Sequence, residues 1–275
     1  MSFIFALLLS CSPSGVSAQT PPAPGSTATQ GAPGTKPAVK KSAPKTKTGA
    51  KAPAAAAESG PCQMGVIAAV GTHFTVQTIG LTVFGNEEAQ VPVDGWGLDD
   101  LAVARVRAAL TGVNVRRIAY ASSAFDPYYD PAPKLFRKPA AELPAIVQQV
   151  AANSGCGRYV VITRFTGTFP GTNQTMQGVG ILKRGIGDLI GHNYLFANVQ
   201  VTVFDGQTFE IQKNPSLSVG TLLAAAFLEE RGPVLTEIPF PAPAAEAAKS
   251  AALRDGARAL LAKRLDKTLA GYFKP

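Results

Sequence analysis

Histidine is scarce in this chain of 275 residues, which narrows the chemistry that it can perform. The two histidines, His73 and His192, have no metal-ligating residue at short spacing on one face, apart from Asp188 four positions before His192. The Gly-x-Ser-x-Gly motif of serine hydrolases is absent, and the glycines between 178 and 191 lack the Gly-x-Gly-x-x-Gly spacing of nucleotide sites. The sequence therefore predicts no catalytic residue, no metal site and no cofactor.

Long apolar runs are also missing, because no stretch reaches the roughly 18 residues that a membrane helix needs. The apolar run at 3–9 and the small residues at 16–18 are typical of a signal peptide over residues 1–18, cleaved after Ala18. The alternative is a lipoprotein signal in which Cys11 is acylated and becomes the first mature residue. Both interpretations predict export. The first gives a periplasmic or secreted protein, and the second gives a lipoprotein that is anchored in a membrane.

Residues 19–60 contain no aromatic side chain and a single acidic residue, Glu58, so they cannot bury a core. Their Pro, Ala, Thr and Gly content predicts a disordered, partly polyproline linker. Six of the 26 basic residues lie here, which leaves 20 basic and 17 acidic residues for the rest of the chain. We expect a solvated spacer, or a tether that meets an anionic envelope surface, and no nucleic acid partner.

Cysteine is limited to three residues, and their positions agree with export. If Cys11 leaves with the signal, Cys62 and Cys156 remain in a compartment where disulfides persist. We expect a bridge between these two residues; the alternative is a pair of separately buried thiols.

Residues 61–275 are enough for one domain with a substantial core. The sequence predicts a first strand at 66–76, a helix at 99–111 that starts on two acidic residues, and a short strand at 115–120. A second helix is predicted from about 141 to 155, with Pro144 in its first turn. Its apolar face consists of Leu143, Ile146, Val147, Val150 and Ala151.

The clearest β pattern lies at 158–211. Residues 159–162 are apolar on both faces, as in a central strand, whereas 195–203 alternate and predict a strand buried on one face. Asp205-Gly206 predicts a hairpin between apolar pairs. The glycine-rich stretch at 178–191 is expected to turn sharply around a short strand, and two helices are predicted at 219–230 and 244–273.

This order of elements predicts a single α/β domain with a mixed sheet, two to three packed helices, a β-hairpin and a C-terminal helix. It resembles the small α/β domain of the N-terminal part of the Tol–Pal translocation protein, the curli secretion lipoprotein and the lipoproteins that activate penicillin-binding proteins. The resemblance is carried by residues 159–169, the glycines from 171 to 191, residues 195–211 and the C-terminal helix. It implies a non-catalytic envelope or secretion role with a protein partner.

Aromatic side chains and prolines occur together between 125 and 139. Rings on a proline-stiffened loop bury a large area at low ordering cost, so this segment predicts a partner-binding loop with a basic rim. The alternative is that the rings fold back over the edge of the sheet. The residues of the predicted loop are Phe125, Tyr128, Tyr129, Lys134, Phe136, Arg137 and Lys138.

A second hypothesis places a hydrolase or small-ligand site near Asp94, Trp96 and His192, because these residues lie in connections where functional sites concentrate. Asp99 and Asp100 beside this site are explained as helix-start residues.

We expect the exported chain to begin at Gln19. Mass spectrometry of the intact mature protein tests this, since an acylated N-terminal Cys11 would instead show a lipoprotein and make residues 19–60 a tether from the membrane. At about 3 Å per residue such a tether spans more than about 100 Å.

Overall fold

A computed structural model describes residues 61–80, 85–130, 139–186, 190–214 and 232–273. The predicted signal peptide, Cys11, the linker at 19–60 and the predicted helix at 219–230 lie outside these ranges. Four residues of the predicted binding loop do so as well, namely Lys134, Phe136, Arg137 and Lys138.

The described residues form one curled, mixed sheet with helices on both faces, which confirms the predicted α/β class. The strands are β1 (Met64–Ala69), β2 (His73–Ile79), β3 (Glu87–Pro92), β4 (Val115–Arg117), β5 (Arg158–Arg164), β6 (Thr166–Thr168), β7 (Thr175–Ile186), β8 (Ile190–Asp205), β9 (Ile211–Gln212) and β10 (Val234–Thr236). The α-helices are α1 (Leu98–Ala109), α2 (Asp126–Tyr129), α3 (Pro139–Ala151) and α4 (Ala251–Phe273), with 3-10 turns at Asp94–Trp96 and Ala244–Lys249.

Strand β8 joins the two halves of the sheet. The hydrogen-bonded order is β3-β2-β7-β8-β5-β1-β4, with β6 on β7 and with β9 and β10 on β8. Residues 190–198 of β8 pair with β7, and residues 199–205 pair with β5. β1 is parallel to both β4 and β5, and β2 is parallel to β7.

The predicted first strand at 66–76 is wrong in one respect, because the chain forms two strands there. β1 and β2 are separated by Val70, Gly71 and Thr72, with Gly71 at a φ of 93°. A left-handed backbone of this kind suits glycine and ends a strand. Since three strands lie between β1 and β2 in the hydrogen-bonded order, this short connection requires the sheet to curl.

β8 is buried on both faces at its centre, whereas its alternation predicts burial on one. Leu195, Ala197, Val201 and Val203 face the core beneath α1 and α4. The opposite side chains are also covered, because Asn198 is 6% exposed and Thr202 is 3% exposed. The Asn198 side-chain amide donates to the Met176 carbonyl at 2.9 Å, which satisfies a polar group that the alternation places outside.

Helix α4 packs through residues spaced by four, as its sequence predicts, but it is shorter than predicted. The 3-10 turn at Ala244–Lys249 ends at Ser250, whose hydroxyl accepts a hydrogen bond from the Leu253 amide at 3.2 Å and so begins a separate helix. The buried residues of α4 are Leu253, Ala257, Leu261, Leu265 and Leu269.

Helix α3 covers the other face of the sheet. It begins at Pro139, earlier than predicted, so Pro144 lies in its second turn rather than its first. Leu143, Val147 and Ala151 are buried in a cluster with Val161 of β5 and Phe204 of β8.

The predicted bridge between Cys62 and Cys156 is present, with the two Cα atoms 4.5 Å apart. It ties the start of the domain to the turn before β5 across 94 positions of sequence. In the chain-entropy account, a loop of this length contributes about 4 kcal/mol to the free energy of unfolding.

Residues 178–186 of the glycine-rich stretch lie in β7, a strand of 12 residues, where a turning connection with a short strand is predicted. The glycines serve close packing. A Cβ at Gly180 would overlap the Thr75 carbonyl oxygen of β2 and the Phe196 ring of β8. A hairpin does form at Asp205-Gly206, but its connection is longer than the predicted two residues, because Phe204 pairs with Ile211. The Asp205 carboxylate accepts the Gln207 and Thr208 amides at 2.9 Å each.

We expect Gly180→Ala to lower the free energy of unfolding by about 3 kcal/mol, because backbone and ring atoms occupy the space of the new methyl group. Urea denaturation measures this. Gly95→Ala is the matched control, since a Cβ at Gly95 meets nothing within 4 Å and should change stability by less than about 0.5 kcal/mol. Equal losses in the two variants would contradict the packing explanation.

Candidate functional site

The carboxyl ends of β4, β1 and β5 meet at one edge of the sheet. The three parallel strands follow one another in the chain as β1, β4 and β5, but β1 lies between the other two, so the path goes from β1 to β4 on one side and returns to β5 on the other. In open α/β sheets, ligands bind in the crevice outside the strand ends where the strand order reverses in this way. We call this region, with Asp99, Tyr120, Tyr129 and Arg164, the switch-point site.

Two tyrosines fix the end of β1. The Tyr120 hydroxyl donates to the Ala68 carbonyl at 2.8 Å, and the Tyr129 hydroxyl donates to the Ala69 carbonyl. The Arg164 backbone amide, at the end of β5, donates to the Tyr129 hydroxyl at 3.3 Å. Tyr129 therefore bridges the ends of two neighbouring strands.

Asp99 satisfies the backbone amides that follow β1. One carboxylate oxygen accepts the Val70 amide at 2.9 Å and the Gly71 amide at 3.1 Å. The other lies 3.3 Å from the Tyr120 hydroxyl, whose single proton it shares with the closer Ala68 carbonyl. The helix-start explanation of Asp99 is therefore incomplete, because its hydrogen bonds reach across to the β1–β2 connection. Asp100 instead pairs with Arg117 of β4.

Burial moves the titration of the two tyrosines away from neutral pH and that of Asp99 toward it. Burial raises the pKa of Asp99, and the hydrogen bonds from the Gly71 and Val70 amides offset only part of this rise. Burial also raises the pKa of Tyr129 to about 12. The pKa of Tyr120 is raised as well, first by burial and second by the nearby negative charge of Asp99. The two tyrosines therefore keep their protons at neutral pH and suit binding or support better than proton transfer.

Arg164 contributes the positive charge of the switch-point site. Its guanidinium carbon lies 4.0 Å from the centre of the Tyr129 ring, a cation–π contact that fixes the side chain. Its aliphatic stem lies beside Gly178, which has a φ of 70°. Its Nε atom is buried and has no hydrogen-bond partner.

A concave region away from the switch-point site contains two of the three residues in the hydrolase or small-ligand hypothesis. An open cleft of about 440 Å³ separates the 3-10 turn at Asp94–Trp96 from the start of α4, and Asp94, Trp96, Lys249 and Arg254 are among its lining residues. The Trp96 ring is 4% exposed and packs 4.8 Å from the Phe74 ring. His192 does not line this cleft, because it pairs with Arg184 at the far end of β7 and β8.

The described part of the aromatic segment folds back on the domain. Phe125 is 1% exposed, so its ring offers no surface to a partner. Asp126–Tyr129 form one helical turn that begins around Pro127, although prolines predict irregular structure here. Tyr128 and Tyr129 pack against the same core cluster as Phe125. Partner binding through the remaining loop residues stays a prediction.

Within the described ranges, no group of three or more His, Cys, Asp or Glu side chains is placed to hold a metal ion. None of the helices in this part of the chain combines the length and apolarity needed to cross a membrane.

Comparison with known proteins gives no family. No family model, no curated protein and no solved structure matches this chain.

The switch-point residues carry weak signals in the sequence. Tyr120 is the last residue of the predicted strand at 115–120, and Arg164 follows the apolar run at 159–162. The carboxyl ends of strands are where α/β proteins place functional side chains. These positions indicate a shared site only when the order of the strands in the sheet is known, with β1 between β4 and β5. Hydrophobic periodicity in the sequence does not establish that order.

We expect the stability of the wild type relative to Asp99→Asn to increase as the pH falls. Because the pKa of Asp99 is higher in the folded state, the folded protein binds the proton more tightly than the unfolded chain. The gain should build up as the pH falls through this raised pKa and level off below the ordinary value of 3.8, and it is lost again as the pH rises.

Urea denaturation of both proteins between about pH 7 and about pH 3 measures this difference. Asp205→Asn provides a control of opposite sign, because backbone amides lower the pKa of Asp205 and its wild-type advantage should shrink in acid. A flat or opposite pH dependence for Asp99→Asn would show that burial does not dominate the environment of this carboxyl group.

Proposed function

We propose that this is an exported, non-catalytic protein of the cell envelope whose α/β domain binds a protein partner. The bridge between Cys62 and Cys156 is compatible with an oxidising compartment. In this proposal residues 19–60 form the basic, proline-rich tether, and the domain is related to those of the translocation, curli secretion and penicillin-binding-protein activator proteins.

Exposed apolar side chains on β10 carry the proposal. Leu235 is 60% exposed and Val234 is 48% exposed, which makes them two of the four large hydrophobic residues that stand out at the described surface. Leu235 lies opposite Tyr194 of β8, which extends the apolar surface across the strand pair. As consecutive residues of one strand, Val234 and Leu235 point to opposite faces, so they place exposed apolar side chains on both sides of β10. Exposed apolar surface marks interaction sites when it is not scattered singly over the protein.

The position of β10 in the sheet adds backbone groups to this surface. In the described part of the chain, β10 pairs with β8 alone. A strand paired on one edge presents its remaining amides and carbonyls for pairing with another chain, and several recognition domains bind extended peptides in this way. We infer that the partner adds an extended segment along β10.

The titration behaviour of the switch-point site supports a non-catalytic role. Its two tyrosines hold their protons, and their hydroxyl groups already donate to the carbonyl groups of Ala68 and Ala69. Groups that are committed to backbone support in this way are poor general acids and bases.

The cleft beside Trp96 supports a second candidate function, a small-ligand protein. Its volume of about 440 Å³ falls within the range of small-molecule sites, and Asp94, Lys249 and Arg254 provide charges of both signs. A ligand there would contact only the edge of the Trp96 ring, since that ring is buried against Phe74.

Site-specific photo-crosslinking in cells tests the partner proposal. A benzophenone side chain in place of Leu235 should give a discrete crosslinked band, and one in place of Gln200, an exposed residue of β8, should not. Adding Val234→Glu to the Leu235 probe should remove the band by placing a charge in the apolar surface. A melting temperature within about 2 °C of the parent would show that Val234→Glu leaves the fold intact. Equal bands at both positions, or none at either, would contradict the proposal.

A further inference from the structure

Arg164 has hydrogen-bonding capacity that the described part of the protein does not use. Its Nε atom is buried and lacks a partner, and no Asp or Glu among the described residues forms an ion pair with it. A buried donor without a partner costs free energy, because it loses its hydrogen bond to water and gains none in return. A charged donor in this position is therefore a functional candidate rather than a packing residue.

The surroundings hold the guanidinium in one orientation. The Tyr129 ring supports one face at 4.0 Å, and the Tyr129 hydroxyl is fixed between β1 and β5. Gly178 leaves room for the Arg164 stem, because a Cβ there would come within 3.1 Å of the Arg164 Cδ atom. An immobilised guanidinium loses little entropy when it binds, so it is prepared for a ligand.

The location of Arg164 is the one that the topology favours for a ligand. Arg164 ends β5 beside the strand where the sheet order reverses, and Gly71 with its φ of 93° opens the connection that follows β1. A Cβ built at Gly71 would meet only the Arg164 Nε, at 4.0 Å, so the protein leaves room beside Gly71 on this side of the guanidinium. Binding in such a crevice is the general behaviour of α/β sheets.

Asp99 does not form an ion pair with Arg164 in the described part of the chain. Both carboxylate oxygens of Asp99 accept hydrogen bonds, from the amides of Val70 and Gly71 and from the hydroxyl of Tyr120. Asp99 reaches β1 from α1, whereas Arg164 lies on β5 at the other side of that strand.

We infer that the switch-point site binds a small oxyanion, a carboxylate or a phosphate, with the Arg164 guanidinium as its charged donor. A planar guanidinium forms paired, charge-assisted hydrogen bonds with both groups. This inference is independent of partner binding at β10, since it concerns a different edge of the sheet and a small molecule.

NMR titration of the purified, disulfide-bonded protein tests the inference. The Nε–Hε resonance of Arg164, assigned by its loss in Arg164→Gln, should shift saturably with acetate, with inorganic phosphate or with both. Sodium chloride at the same ionic strength should leave it unchanged. The backbone amides of Gly71 and Gly178 should shift with the same apparent Kd. The anion that binds more tightly identifies the group as a carboxylate or a phosphate.

Arg158 provides the matched control, because it is an exposed arginine at the opposite end of the same strand. Its Nε–Hε resonance should not move. Arg164→Lys should weaken binding by about tenfold or more, because a lysine keeps the charge but loses the planar fork. If Arg164→Gln is less stable and cannot be used for the assignment, the Gly71 and Gly178 amides of the wild type and of Arg164→Lys still report binding.

The inference is overturned if neither anion shifts the Arg164 resonance, or if Arg158 responds equally. It is also overturned if Arg164→Lys binds as tightly as the wild type. None of these results would affect crosslinking at Leu235, so the two proposals fail separately.

Discussion

The backbone groups at the end of β1 impose the constraint on which the switch-point site depends. The carbonyls of Ala68 and Ala69 and the amides of Val70 and Gly71 leave the strand pairing where the sheet curls, and buried backbone groups must be hydrogen-bonded. Side chains from three elements provide the partners. The curl and the polar cluster are therefore two consequences of one break in a strand, and the same cluster positions Arg164.

The amphipathic helices follow from sequence pattern, because their signals are local. The spacing of four in α4 and the apolar face of α3 each predict the observed packing. The element boundaries depend on single side-chain contacts that periodicity does not contain. Ser250 ends the 3-10 turn and begins α4 through one hydroxyl, and Pro144 is tolerated beyond the first turn of α3.

The glycines of β7 show why the sheet itself was harder to predict. Glycine in a sequence indicates a turn when only neighbouring residues are considered. At Gly180 the reason is tertiary, because β2 and the Phe196 ring approach the backbone more closely than any Cβ allows. The role of Asp99 is hard to predict for the same reason, because the backbone amides that it binds lie 28 and 29 positions away in the sequence. The switch-point site combines several such long-range pairings, so the sequence indicates its members only singly.

A chain of contacts connects the β10 side of the domain with the switch-point site. Arg264 of α4 donates to the carbonyls of Gly232 and Ala197 and to the Asn198 side chain, the last at 3.2 Å. Asn198 in turn accepts the Phe165 amide, next to Arg164, at 2.8 Å. Contiguity alone does not transmit a signal, because transmission requires an element with two arrangements. The structure shows one arrangement of these hydrogen bonds, so they join the two surfaces as a shared structural support.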